Sequence, residues 1–93
     1  MEKLLWVLFV GTKGGINRAK IINELNKRPY NVNQLAEKLG LDYKTVQHHM
    51  GVLEKNKLIT STDDKYGKLY FLSDTMKNDY HIFQEIWNQL GKS

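Results

Sequence analysis

NVNQLAEKLGLDYKTVQHHMGVLEKNKLI, residues 31–59, is the stretch that decides the fold. Asn31 carries a side-chain acceptor suited to a helix N-cap. Gln34, three residues on, can answer with its own side chain in a variant of the capping box. Val32, Leu35, Ala36 and Leu39 recur at i, i+3, i+4 and i+7, which sets them on one helix face. Gly40 can take the left-handed conformation that ends such a helix. Only Leu41 separates it from Asp42, a second N-cap, and the helix that follows turns Val46, Met50 and Leu53 to one side. Two short amphipathic helices joined by so tight a turn form a helix-turn-helix.

Upstream, the run LLWVLFV (residues 4–10) is apolar on all sides, so periodicity leaves it either a buried strand or a buried helix. GTKGG (11–15) breaks the run. A helix is predicted over about 16–27, with Ile21, Ile22 and Leu25 on one side and Pro29 ending it. Downstream, residues 58–62 and 68–72 are β-rich and flank DDKYG (63–67), whose Asp, Asp and Gly make a hairpin loop. Asp74 or Thr75 is placed to cap a last helix reaching about Leu90. In it Met76, Tyr80, Phe83, Trp87 and Leu90 step by four, three, four and three, a seam of large side chains. The expected fold is mainly α with a two-stranded β wing, in the order α-α-α-α-β-β-α. It is expected as a single domain over 1–93, with the helix-turn-helix at about 31–56 and the wing at about 58–72.

Composition narrows the function. Ninety-three residues make one thin-cored domain, a size that often gains stability by pairing with a second copy. The chain has no cysteine, which excludes disulfides, thiol catalysis and thiolate metal sites and fits a reducing cytoplasm. Residues 1–30 carry the whole net charge of +4, an uneven basic distribution that suits a polyanion. The run at 4–10 is too short to span a bilayer and has no signal-peptide flanks, so no membrane partner is expected.

The stretch 31–59 closely resembles the helix-turn-helix of ArsR-type winged-helix regulators, through LAEKLGL, then TV, His49 and the Leu53-Glu54 pair at matching spacing. GTKGGINRAKIINEL (11–25) and KYGKLYFLS (65–73) are similar to small archaeal-type members of that group, so the resemblance covers nearly the whole chain. It implies a winged helix-turn-helix that binds double-stranded DNA, with no catalytic role. Two features depart from the pattern. Members that sense metals through thiols carry cysteines on the first helix of the motif, and this chain has none. The family usually has Gly just before the apolar pair that starts the wing. Here Lys57 stands there, so Asn56 or Lys57 must take any left-handed turn.

With Val46, Met50 and Leu53 toward the core, a step of about 100° per residue points Lys44, Gln47, His48, Gly51 and Lys55 outward, with Tyr43 and Thr45 at the flanks. A recognition helix meets base edges near its N-terminus. Gln47 can bond adenine in a bidentate way, Lys44 can reach guanine or phosphate, and the Thr45 methyl can pack on thymine. Lys65, Tyr66 and Lys68 offer a wing contact to the DNA backbone, while Asp63 and Asp64 oppose deep insertion. Arg18 and Lys20 are candidates for additional phosphate contacts or for solvated surface. Leu5, Trp6 and Phe9 (in a helix at about 3–10) and Met76, Tyr80, Phe83, Trp87 and Leu90 (at about 75–90) are expected to form a homodimer interface.

Other chemistries fit less well. His48 and His49 are adjacent and diverge on a helix, so His49 reads as a packed structural residue. Asp79 and His81 make only half of a last-helix metal pattern, with no histidine after His81, and no metal or other cofactor is expected. GTKGG lacks the spacing of a phosphate-binding loop. The rival reading is a winged helix serving as a protein-interaction module without DNA binding; the retained Lys44, Gln47, His48, Lys55 and Lys65 favour DNA. A small-molecule effector at the dimer interface is compatible with the pattern, which specifies none.

Overall fold

The computed structural model of this chain describes residues 1–62 and 67–91. Its elements are α1 (Glu2–Phe9), α2 (Gly15–Leu25), α3 (Val32–Leu39), α4 (Tyr43–Lys55), β1 (Ile59–Ser61), β2 (Tyr70–Leu72), α5 (Asp74–Asn78) and α6 (Tyr80–Gln89). The central motif follows its local chemistry. The Gln34 N–H donates to Asn31 Oδ1 at 2.7 Å, and the Asn31 N–H donates to Gln34 Oε1 at 2.9 Å, completing the capping box of α3. Gly40 has φ 67°, and beyond it the Leu41 N–H donates back to the Ala36 carbonyl at 2.9 Å. Asp42 then caps α4 by accepting from the Thr45 N–H at 3.3 Å. At the far end of α4, Lys57 takes the left-handed position with φ 63°, and the Leu58 N–H donates to the Leu53 carbonyl at 3.0 Å. A lysine thus performs the turn that glycine usually performs.

The ambiguous run at 4–10 is a helix. A strand there would need a sheet partner, and among the described residues the β1–β2 ribbon pairs with itself and with Tyr30, not with this segment. As a helix, α1 packs Leu5, Leu8 and Phe9 against α2 and α6. The Phe9 and Phe83 rings meet edge to face at 5.2 Å between centroids, and Phe83 in turn contacts Tyr80 and Trp87.

This packing corrects the expected dimer interface. Leu5, Phe9, Met76 and Phe83 are fully buried, and Trp87 nearly so, inside a single chain. The seam of large side chains is the domain's own core, closed by α1 folding back onto α6. Trp6, Tyr80 and Leu90 remain half-buried at its margin.

The C-terminal segment departs from expectation twice. Ser73, not Asp74 or Thr75, is the N-cap of α5: its hydroxyl accepts from the Met76 N–H at 3.1 Å. Ser73 is still extended and its own N–H bonds the Leu58 carbonyl at 3.0 Å, so the chain leaves the sheet one residue earlier than its acidic cap candidates suggest. The last helix is also two helices, broken at Asp79 with φ −101° and ψ 15°. Asn and Asp are weak helix formers, and Asn78-Asp79 is where the break falls.

The wing is an antiparallel pair with Ile59 opposite Leu72, Thr60 opposite Phe71 and Ser61 opposite Tyr70. Its strands are shorter than the predicted 58–62 and 68–72, although the Thr62 N–H still donates to the Leu69 carbonyl at 2.9 Å. Tyr30, just before α3, bridges Tyr70 through two backbone hydrogen bonds of 3.2 and 2.8 Å. That bridge ties the wing to the start of the helix-turn-helix.

Candidate nucleic-acid interface

The outer face of α4 carries Tyr43, Lys44, Gln47, His48, Gly51 and Lys55, all exposed, while Val46, His49, Met50 and Leu53 are buried. Thr45 is half-buried and its hydroxyl is bonded to Asp42. That hydroxyl, followed by the Thr45 N–H, holds the Asp42 carboxyl below the usual carboxylate range and so keeps the cap ionised.

A cleft of about 570 Å³ opens between the first turn of α3, the N-terminal half of α4 and the wing. Asn31, Val32 and Asn33 form one wall, Tyr43 and Gln47 a second, and residues 67–70 the third. The Tyr30–Tyr70 bridge holds the first and third walls together. Tyr43, Gln47 and Lys68, far apart in sequence, therefore converge on one concave surface. Lys44 and His48 are exposed on α4 but do not line the cleft. Lys65 and Tyr66, with Asp63 and Asp64, lie outside the described residues. Sequence reasoning missed Asn33 and Leu69. Both are exposed beside the cleft, and only the pairing of Tyr30 with Tyr70 brings them there.

Arg18 is not a phosphate contact. It is 5% exposed, and its guanidinium bonds three groups: Nε donates to the Leu8 carbonyl at 3.1 Å, Nη1 to His49 Nδ1 at 3.2 Å, and Nη2 to the Thr12 hydroxyl. His49, 6% exposed, is the packed histidine expected on α4, and the ring centroid of His48 lies 5.5 Å from its own. Lys20 is half-buried.

The GTKGG segment joins two helices, so the strand-loop-helix of a nucleotide site is not formed. Its glycines answer to packing. A Cβ on Gly15 would collide with the Phe9 carbonyl oxygen, and one on Gly14, at φ 88°, would lie 2.8 Å from the His49 ring. Among the described residues no group of three His, Cys, Asp or Glu side chains is placed to hold a metal, and no helix is long and apolar enough to cross a membrane.

Two helices at a tight turn, an exposed recognition face and a hairpin closing a cleft beside it define a winged helix-turn-helix protein. Residues 17–61, from α2 through β1, match the family model for the bacterial regulatory proteins of the arsR family. That match takes in a little under half of the chain and holds the helix-turn-helix itself, so this segment is of the ArsR type, a class of DNA-binding transcriptional regulators. Among solved structures it is similar to a probable transcriptional regulator from Pseudomonas aeruginosa, at 21% identity over 95% of this chain and 72% of that one, with a TM-score of 0.66. It is similar to the transcriptional regulator HlyU from Vibrio vulnificus at 18% identity over 92% and 88% of the two chains, with a TM-score of 0.69. A third likeness is to S. aureus MepR bound to ethidium bromide, at 18% identity over 97% of this chain and 66% of that one, with a TM-score of 0.63. At such identities the likeness is one of fold. No curated protein matches by sequence.

Proposed function

We propose that this protein is a sequence-specific regulator that binds double-stranded DNA as a homodimer on an inverted-repeat operator, acting as a repressor. The observation that carries the reading is the convergence of Tyr43, Gln47 and Lys68 on one cleft beside the exposed face of α4. In this arrangement α4 enters the major groove, with Gln47 and Lys44 at base edges and Tyr43 and Thr45 near the helix N-terminus. His48 sits on the groove side, and the wing, with Lys68 and the lysine and tyrosine at 65 and 66, follows the backbone.

The second copy covers the outer face of α1 rather than the aromatic seam. Val7 of α1, Val10 just after it and Ile16 at the start of α2 are each roughly half exposed, and half-buried Leu90 lies beside Val10 and Ile16. A stable pairing would bury about 1,200–2,000 Å² in total and set the two recognition helices about 34 Å apart on successive major grooves.

Selection of bound sequences from a random duplex library tests the proposal. A palindromic motif is expected. Recovery of no motif, with binding that vanishes uniformly as salt rises, would refute sequence reading, and no binding at any salt would favour a protein-interaction module.

A further inference from the structure

The only buried guanidinium described in this chain does not meet a carboxylate. Arg18 of α2 instead holds three elements at once: the C-terminal carbonyl region of α1 through Leu8, the α1–α2 connection through Thr12, and the middle of α4 through His49. Arg has only donors, so the His49 Nδ1 that receives it must be an unprotonated acceptor, and the ring is neutral with its proton on Nε2. The Gly14 backbone packs close against the same ring: a Cβ built there would lie 2.8 Å from His49 Cε1 and 3.5 Å from Nε2.

We propose that Arg18 is a positioning residue for the recognition helix, holding α4 in its DNA-reading place through neutral His49, so that protonation of His49 releases that hold. The proposal rests on α4 being the DNA-reading helix. A protonated His49 could no longer accept from Arg18 and would set an imidazolium against a permanent guanidinium in a buried site.

Among the described residues no opposite charge is at hand to relieve the repulsion. From α2 the ring faces Arg18, and from its own helix it faces His48, both cationic or neutral. Glu24 of α2 is held by Tyr30 and Lys27, and Glu54 of α4 bonds Ser61 of β1. On α3, Glu37 and Lys38 are exposed, and Lys13 in the α1–α2 connection is exposed as well. Burial first, then Arg18 and His48, push the His49 imidazole below its ordinary range.

The sign follows from linkage. The folded state prefers neutral His49. Its contribution is fully present above about pH 6.5, the ordinary histidine value, and is lost as pH falls through that value toward the lower folded one. Charge gained on the exposed surface would tighten contact with a polyanion, so a loss of affinity on acidification points to the buried site.

The test compares wild type with His49→Asn, which keeps an acceptor near the Nδ1 position and cannot titrate, and with His48→Asn as the exposed control. Urea midpoints, and binding of a fluorescein-labelled duplex taken from the selection, are measured at about pH 7.5 and about pH 5.5. Imidazole titrations are followed by NMR on the wild type, which needs no variant to fold. One pH unit below the ordinary value, a site held strictly neutral loses at most about tenfold in its equilibrium constant. The wild-type to His49→Asn affinity ratio should fall by up to that factor on acidification, and the stability ratio with it, while His48→Asn keeps the acid loss. A His49 titrating at or above about pH 6.5, or a ratio unchanged between the two pH values, overturns the proposal. If no duplex is bound at any pH, the DNA reading fails, and the stability and NMR arms still decide whether Arg18 and His49 form an acid-sensitive hold.

Discussion

Lys57 is a position where a single substitution should stabilise this protein. Its φ of 63° places a Cβ in the left-handed region, where the clash with the following carbonyl costs about 1–2 kcal/mol for an L-residue. Replacing it by Gly removes that clash but loosens the unfolded chain, which takes back about 0.5–1 kcal/mol. The Lys57 side chain is exposed and, among the described residues, makes no ion pair, so little else is lost. The backbone bonds that end α4, from Lys57 N–H to the Glu54 carbonyl at 2.9 Å and from Leu58 N–H to the Leu53 carbonyl at 3.0 Å, suit glycine equally well. The net expectation for Lys57→Gly is a stabilisation of about 0.5–1 kcal/mol. At a urea m-value of about 1 kcal/mol/M for a small domain, the midpoint should rise by about 0.5–1 M, and the Tm by about 2–8 °C. Lys57→Ala serves as the control, since it removes the side chain and keeps the Cβ; it should change stability by less than about 0.5 kcal/mol. If Lys57→Gly proves no more stable than Lys57→Ala, the turn is not strained and the reasoning fails.

Gln47→Ala should cost about 1–3 kcal/mol in binding and relax one base position per half-site in a repeated selection, whereas Lys68→Ala should weaken all sequences alike and shrink the log-log salt slope by roughly one. Gly51 is exposed in the middle of α4 and a Cβ there would meet nothing within 4 Å; Gly51→Ala should therefore stabilise the free protein by about 0.5–1 kcal/mol in urea unfolding, and a concurrent loss of duplex affinity would show that DNA approaches α4 closely at this point. Gly14→Ala should destabilise by about 2–3 kcal/mol by combining a left-handed φ with a collision against His49, measured as a lowered urea midpoint. Val10→Asp should leave circular dichroism intact while shifting light-scattering mass to that of one chain; an unchanged dimer would move the interface off α1.

Where structure is set by neighbours three or four residues away, the sequence alone was decisive. The Asn31–Gln34 capping box, the Gly40 turn, the Asp42 cap and the buried Val46, Met50 and Leu53 all stand where the pattern put them, and so does the need for a left-handed residue at 56 or 57. Each depends on hydrogen bonds or a helical stripe within a single turn, which side-chain type and spacing specify directly. Three features were legible only in the folded chain. Residues 4–10 are apolar on all sides, so their own pattern left strand or helix open; the helix was expected from the overall order of elements, but its fit against α2 and α6 shows only in the folded chain. The aromatic seam of the last helix read as surplus surface until α1 folded onto it and Phe9 met Phe83. Arg18 looked like one more surface cation, yet it lies buried between Leu8, Thr12 and His49, 31 positions away. Burial is a property of what comes to lie on top of a residue. That is settled by contacts between segments distant in sequence, whose meeting no local period or cap encodes.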